Sequence, residues 1–254
     1  MVGLYSLRRE RGDLFVRVPT VQEYTHERLG DRFEASLSSY DTCCRVQTLI
    51  DYFLSDDMVK GKLALDVGCG LGFFSQRLQE RGGNVTACDL GPMLVERTRQ
   101  RVGCKVVVAD VMQLTRHFPQ DSFDLVVSSE CIEHTPDPVQ AMLEMAAVVR
   151  PGGCLAISTP NVVWSPVVRA ATAMRLRPFD GHENFSSWRG LRKTLETGGI
   201  EIVQEQGLHL FPFQFGLRGL SRWCDRNLQV VRGLMINICV LGRKRPEFRS
   251  RGIE

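Results

Sequence analysis

A glycine-rich turn between an apolar segment and a helix-like segment constrains this chain more than any other feature. The turn lies within residues 64–75, whose sequence is ALDVGCGLGFFS. The apolar segment ends at Asp66, and the glycines Gly68 and Gly70 follow it. Glycine lets backbone N–H groups approach a ligand without a Cβ in between. This order predicts a parallel strand that delivers its backbone to an adenosine-containing cofactor.

Strand and helix patterns alternate along the chain after residue 61, which predicts an α/β fold with helices on both faces of a sheet. No long helical crossover separates the last two strand-like segments, so the final strand is expected to be antiparallel. The expected fold is a doubly wound, seven-stranded, mostly parallel sheet. The predicted strands lie at 63–67, 85–88, 105–108, 125–128, 155–159, 200–204 and 236–241.

The order of helical, strand-like and irregular segments also predicts how the chain is organised. Residues 1–60 are expected to form an N-terminal arm and a helical lid, and residues 61–254 the cofactor-binding domain. Two insertions, at about 161–185 and 208–232, are placed to roof the site, because ligands bind at the carboxyl ends of such strands.

Composition favours a cytoplasmic protein. The nine cysteines are an odd number with no C-x-x-C pair, which favours free thiols in a reducing compartment over a disulfide framework. No apolar signal core is seen near the N-terminus, and the longest apolar run, near residues 234–241, is too short to span a bilayer. Nothing in the composition indicates an oligomeric state.

The net charge of +3 is ordinary, but basic residues concentrate near the C-terminus. Residues 218–251 contain nine Lys and Arg residues against Asp225 and Glu247. This stretch is interpreted first as a solvated basic tail. Attraction of an anionic substrate is the alternative.

Acidic residues follow three successive predicted strands. Asp66 precedes the glycines, Asp89 ends the second strand and Asp110 follows the third. With the P-G-G turn at 151–153, this pattern resembles the class I S-adenosylmethionine-dependent methyltransferases. A nicotinamide dinucleotide site is disfavoured, because G-x-G-x-x-G requires a glycine where Phe73 stands.

The resemblance implies S-adenosylmethionine as the cofactor, with Asp89 on the ribose and Asp110 on the adenine. The expected cofactor-binding residues are Asp66, Gly68, Cys69, Gly70, Asp89, Leu90, Asp110, Val111 and Ser129.

The segment that follows the fourth strand carries a second motif. Glu130, Glu133 and His134 are spaced so that one helical turn would place them on one face. Such a group is costly to bury unless something cationic joins it. The E-x-x-E-H pattern resembles the ubiquinone-biosynthesis O-methyltransferases. With His182 as a fourth ligand, it also resembles the metal site of the small-RNA 2′-O-methyltransferases.

Three interpretations of this motif stay open at this point. In the first, Glu130, Glu133, His134 and His182 bind a divalent metal such as Mn, Fe, Co, Zn or Mg, which acidifies an acceptor hydroxyl. In the second, His134 is the general base and Glu133 orients it, without a metal. In the third, the acids contact cofactor or backbone and His134 only packs. His26, His117 and His209 receive no role from their sequence context.

The expected function is methyl transfer from S-adenosylmethionine to a hydroxyl oxygen of a small molecule, such as a quinone precursor, a natural product or a sugar. An RNA 3′ end is a disfavoured acceptor, since the chain has no separate RNA-binding module. A non-catalytic, cofactor-binding scaffold is the alternative from another functional class.

Overall fold

The computed structural model describes residues 40–174, 183–210 and 218–248, which include a seven-stranded sheet. Its strands are β1 (Leu63–Val67), β2 (Asn84–Asp89), β3 (Lys105–Val108), β4 (Phe123–Ser129), β5 (Val149–Pro160), β6 (Ile200–Leu208) and β7 (Asn237–Lys244).

Seven α-helices accompany the sheet in the described ranges. They are α1 (Tyr40–Val46), α2 (Phe73–Glu80), α3 (Pro92–Val102), α4 (Pro138–Val148), α5 (Ser165–Ala173), α6 (Trp188–Thr197) and α7 (Arg218–Asn227). A π-helical segment, Gln47–Tyr52, continues α1. Short 3₁₀ turns lie at Asp56–Met58, Val111–Arg116, Ile132–His134, Val162–Trp164 and Gln229–Leu234.

The strand order is β3-β2-β1-β4-β5-β7-β6. Strands β1 to β5 pair in parallel, whereas β7 runs antiparallel to both β5 and β6. The predicted fold class is therefore confirmed, including the antiparallel last strand. Although β7 is last in sequence, it lies between β5 and β6, and β6 forms the edge of the sheet.

Successive side chains of a strand point to opposite faces of the sheet, so both faces carry apolar side chains, and helices cover each face. On one face, Leu49 and Ile50 pack with Leu78 of α2 and with Val127 of β4. On the other face, Val126 of β4 packs with another group of buried side chains from α4 and α6. That group comprises Met142, Met145, Leu191 and Leu195. The sheet is thus held between two apolar layers, as the alternation of strands and helices predicts.

The fifth strand begins earlier than the sequence pattern indicates. Residues 150–153, interpreted from sequence as a turn, lie within β5, where the register against β4 shifts. At Gly153 an added Cβ would lie 2.9 Å from the carbonyl oxygens of Arg150 and Asp124. The glycine lets the backbone of this bulge fold back closely on itself.

All nine cysteines lie in the described ranges and are free, as expected from their spacing. Within the same ranges, no helix combines the length and the apolar character needed to cross a bilayer. Of the predicted N-terminal lid, residues 40–60 are described and are largely helical; residues 1–39 lie outside the described ranges.

Candidate active site

The glycine turn after β1 folds against the end of β2. The backbone N–H groups of Gly68 and Cys69 both donate to the carbonyl of Cys88, at 2.9 and 3.0 Å. Gly68 has a φ of 70°, and a Cβ there would lie 2.6 Å from the sulfur of Cys131. Glycine is therefore required at this position by both backbone conformation and space. Cys69 itself is buried, with its thiol 3.6 Å from the hydroxyl of Thr98.

Asp89 ends β2 and organises the loops around it. One carboxylate oxygen accepts a hydrogen bond from the N–H of Gly70 at 2.9 Å, and the other accepts from Gly91 at 2.9 Å. The acid is buried and lies beside the glycine turn, and its contact with the ribose of the cofactor stays a prediction.

The adenine end of the predicted site lies beyond β3. Asp110 caps the 3₁₀ turn Val111–Arg116 by accepting a hydrogen bond from the N–H of Met112 at 2.9 Å. Asp110, Val111 and Leu90, which follows β2, are all half-buried. They border the site on the β3 side of the sheet.

Asp66, near the end of β1, is almost completely buried. Its carboxyl group accepts a hydrogen bond from the hydroxyl of Ser75 at 2.5 Å. Burial raises the pKa of this carboxyl to about 7, because the charged form loses its hydration.

Ser129, Glu130 and Ser158 form a hydrogen-bonded polar cluster at the ends of β4 and β5. The hydroxyl oxygens of Ser129 and Ser158, on neighbouring strands, lie 2.9 Å apart. Ser158 also donates to the carboxylate of Glu130 at 3.1 Å, and the N–H of Glu130 donates to the carbonyl of Ser158. Glu130 has a φ of 52°, a left-handed conformation that is uncommon for a residue with a side chain.

The E-x-x-E-H segment does not form the single helical turn expected from its spacing. Only Ile132–His134 form a 3₁₀ turn, and the left-handed Glu130 lies before it. Glu133 is buried and accepts a hydrogen bond from the hydroxyl of Thr159 at 3.3 Å. Both glutamates therefore contact the end of β5, whereas His134 is half-exposed at the end of the turn.

The pKa values of both glutamates are raised. Burial is the main cause for each, and Glu130 raises that of Glu133 further through charge repulsion. Buried carboxylates of this kind require a neighbouring cation, and Arg45 of α1 supplies one. Both acids interact electrostatically with its guanidinium.

Arg45 is the only buried arginine among the described residues. One terminal nitrogen donates to Ser129 at 2.9 Å, and the other donates to Asp41 at 2.9 Å. The Nε of Arg45 is buried and has no hydrogen-bond partner within the described part of the chain. This buried, unpartnered donor of α1, next to the end of β4, is available to an acceptor group of a ligand.

The structure describes three of the four predicted metal ligands. His182 lies outside the described residues. Within the described ranges, no group of three or more His, Cys, Asp and Glu side chains is arranged to hold a metal ion. The metal site that includes His182 therefore stays a prediction.

Sequence reasoning missed Arg45, Asp41 and His209 as site residues. His209 is fully buried, and its Nε2 lies 2.8 Å from the carboxylate of Asp41. For Arg45, the available signal was a charged residue inside the apolar helical pattern of 44–50. The hydroxyl donors Ser158 and Thr159 were also missed, and their signal was a polar pair at the end of an otherwise apolar strand.

Comparisons with known proteins match this chain to methyltransferases. Residues 65–157 match the model of a family described as a methyltransferase domain. A ubiquinone biosynthesis O-methyltransferase from Coxiella burnetii is 30% identical over 176 residues, 65% of this chain and 74% of the relative. One from Xanthomonas campestris pv. campestris is 33% identical over 184 residues, 68% of this chain and 77% of the relative.

Solved structures share the fold at lower identity. Magnesium protoporphyrin IX methyltransferase from Synechocystis PCC 6803, with S-adenosylhomocysteine bound, has a TM-score of 0.65 at 16% identity. The match covers 88% of this chain and 97% of that one. A methyltransferase from Mesorhizobium loti has a TM-score of 0.59 at 20% identity, covering 78% and 95% of the two chains. These structures show the fold that the chain shares. The relatives above show that this chain belongs to the class I S-adenosylmethionine-dependent methyltransferases, in the family that includes the ubiquinone biosynthesis O-methyltransferases.

Proposed function

We propose that this methyltransferase transfers the methyl group of S-adenosylmethionine to a phenolic hydroxyl of a small quinone precursor. The observation that carries the proposal is the polar cluster at the ends of β4 and β5, directly beside the cofactor turn. The relatives' names support oxygen as the methyl acceptor and a quinone precursor as its carrier. They give no support to an RNA end or to a non-catalytic scaffold.

The sheet order arranges the parts of the cofactor. Asp110 follows β3, Asp89 ends β2, the glycine turn follows β1, and Ser129 ends β4. These four strands are consecutive neighbours, about 4.8 Å apart. If adenine lies at β3 and ribose at β2, the methionyl end reaches the ends of β1 and β4.

Arg45 is then the residue we propose for the methionyl carboxylate. Its guanidinium lies at the β4 end of this row, and its unpartnered Nε can donate to a carboxylate oxygen. Asp66, with a pKa of about 7, lies at the β1 end and can accept from the α-ammonium group. The glycines keep side chains out of the space between them.

S-adenosylmethionine supplies a methyl group on a sulfonium, which a nucleophilic oxygen attacks in line as the carbon–sulfur bond breaks. A phenol is a poor nucleophile at neutral pH because its pKa is near 10. His134, which lies beyond the end of β4, is proposed to take the hydroxyl proton as the oxygen–carbon bond forms. The products are a methyl ether and S-adenosylhomocysteine, and the proton remains on the imidazole until it passes to solvent.

The experiment is methyl transfer from radiolabelled S-adenosylmethionine to a catechol, with a single-hydroxyl phenol as a second acceptor. We expect labelled methyl ether from the wild type. We expect His134→Ala to lower kcat by about a hundredfold or more, with the dissociation constant for S-adenosylhomocysteine within threefold of wild type, because general-base catalysis contributes about that much.

His117→Gln is the matched control, because His117 is exposed and lies outside the site. Unchanged kcat in His134→Ala would remove His134 as the base. Label on an amine but on neither hydroxyl acceptor would contradict oxygen as the methyl acceptor.

A further inference from the structure

A buried chain of polar contacts joins the methyl-donor site to the segment after β6. It begins at the fully buried His209, whose Nε2 lies 2.8 Å from one carboxylate oxygen of Asp41. The other oxygen of Asp41 accepts from Arg45 at 2.9 Å, and Arg45 donates to Ser129. Three segments that are distant in sequence thus converge on one guanidinium.

The charges along this chain fix the direction of its hydrogen bonds. Burial alone would raise the pKa of Asp41, but Arg45 and His209 outweigh burial and hold that pKa below its ordinary value. Asp41 is therefore ionised and accepts from both partners. The Nε2 of His209 must then be the protonated nitrogen, which donates to Asp41.

His209 is itself held in place from two sides. Its Nδ1 lies 3.8 Å from a carboxylate oxygen of Asp225 on α7, and the other oxygen of Asp225 accepts from the N–H of Leu210. Its carbonyl accepts from the N–H of Ile236 just before β7. His209 also has a φ of 62°, a costly backbone conformation for a histidine. The fold thus maintains a strained, buried histidine at this point.

We infer that His209 is a positioning residue for the methyl-donor site, which acts through Asp41 to orient the guanidinium of Arg45. The inference rests on the proposed function, because Arg45 is assigned there to the methionyl carboxylate. Without His209, one oxygen of Asp41 loses its donor, and the carboxylate can rotate away from Arg45. The guanidinium then loses its ion pair with Asp41 and keeps only the neutral hydroxyls of Ser129 and Thr42 as acceptors, which hold its Nε less firmly in place.

The affinities for two ligands distinguish a positioning role of His209 from a general effect on the fold. S-adenosylhomocysteine carries the amino-acid carboxylate, whereas 5′-methylthioadenosine has the same adenosine and thioether without it. Loss of an oriented, charge-assisted hydrogen bond weakens binding by about tenfold or more. Only the affinity for S-adenosylhomocysteine, which bears the carboxylate, should be weakened.

The experiment measures the dissociation constants of both ligands by calorimetry for the full chain. In His209→Leu we expect S-adenosylhomocysteine to bind at least about tenfold more weakly and 5′-methylthioadenosine within about threefold of wild type. His209→Gln, whose amide can still donate to Asp41, is expected to restore most of the affinity. Adding His209→Leu to Arg45→Met should cause no further loss, since both act on one contact.

Retained binding of 5′-methylthioadenosine shows that a variant is folded. If His209→Leu does not fold, Asp41→Asn supplies the same comparison, and His117→Gln is the exposed control. Equal weakening of both ligands, or none, overturns the inference. Wild-type protein that binds neither ligand contradicts the proposed function, and the inference falls with it.

Discussion

At the residue scale, the site depends on ionisable groups that burial moves from their ordinary pKa values. Asp66 is the clearest case, since its pKa of about 7 lies well above the ordinary 3.8 of an aspartate. Between these two values the folded chain holds a proton that the unfolded chain has released. A rise in pH through this range therefore favours unfolding.

We expect Asp66→Asn to remove this dependence. Without cofactor, the free energy of unfolding of the variant relative to wild type should rise between about pH 4 and pH 7, by at most about 1.4 kcal/mol per pH unit, and stay level above that. Urea denaturation at several pH values measures it. A difference that does not change with pH would show that Asp66 does not titrate in this range.

The acidic site residues could be predicted from the sequence, because each one stands where an apolar strand ends. The contacts of Arg45 could not. Its partner Ser129 is 84 positions away, and Asp41 and His209 are separated by 168. Periodicity reports which residues share a face of one element, but not which distant elements meet.

At the element scale, β7 joins the edge strand β6 to the rest of the sheet and anchors the helix α4. Lys244, at its end, is fully buried, which corrects the interpretation of the basic stretch as a solvated tail at this position. Its ammonium group donates to Asp121 at 2.7 Å and to the carbonyls of Ala146 and Val149 at 2.8 and 2.7 Å. A cation at the C-terminal end of a helix is favoured by the helix dipole.

We expect Lys244→Met to lower the free energy of unfolding by about 3–5 kcal/mol, because it leaves the carboxylate of Asp121 without its buried partner. Arg243→Met is the control, as Arg243 is the exposed neighbour on the same strand. Its cost should be about 1 kcal/mol or less. Thermal or urea unfolding measures both, and equal effects would show that Lys244 is no anchor.

The antiparallel direction of β7 was predicted because the sequence shows no clear pattern of a long helical crossover after β6, although the short helix α7 does lie between the two strands. Its position between β5 and β6 was not, since strand order depends on long-range pairing. The bulge at 150–153 was also missed, because proline and glycine together are typical of a turn.

At the scale of the whole molecule, ligand binding should stabilise the fold through linkage. S-adenosylhomocysteine at about 100 times its dissociation constant should add about 2.7 kcal/mol to the free energy of unfolding. For a chain of this length, that corresponds to a rise in Tm of about 5–10 °C.

We expect the same rise in the presence of EDTA, because the residues assigned to the cofactor require no metal ion. Scanning calorimetry with and without EDTA measures it. Asp89→Ala is the control and should show a much smaller rise, since it lacks the proposed ribose carboxylate. A rise that EDTA abolishes would contradict a metal-independent cofactor site.

The two halves of the cofactor site differ in how far apart their parts lie along the chain. The residues proposed for the adenosine half lie within one continuous stretch, 66–112, and contact one another there. The methionyl half needs α1, the ends of β4 and β5, and His209 to meet. Contacts that close long loops form late in folding, because the entropy of closure must be overcome first. In a chain that emerges during synthesis, we therefore expect the stretch proposed for the nucleoside to be in place before the parts proposed for the methionyl group meet.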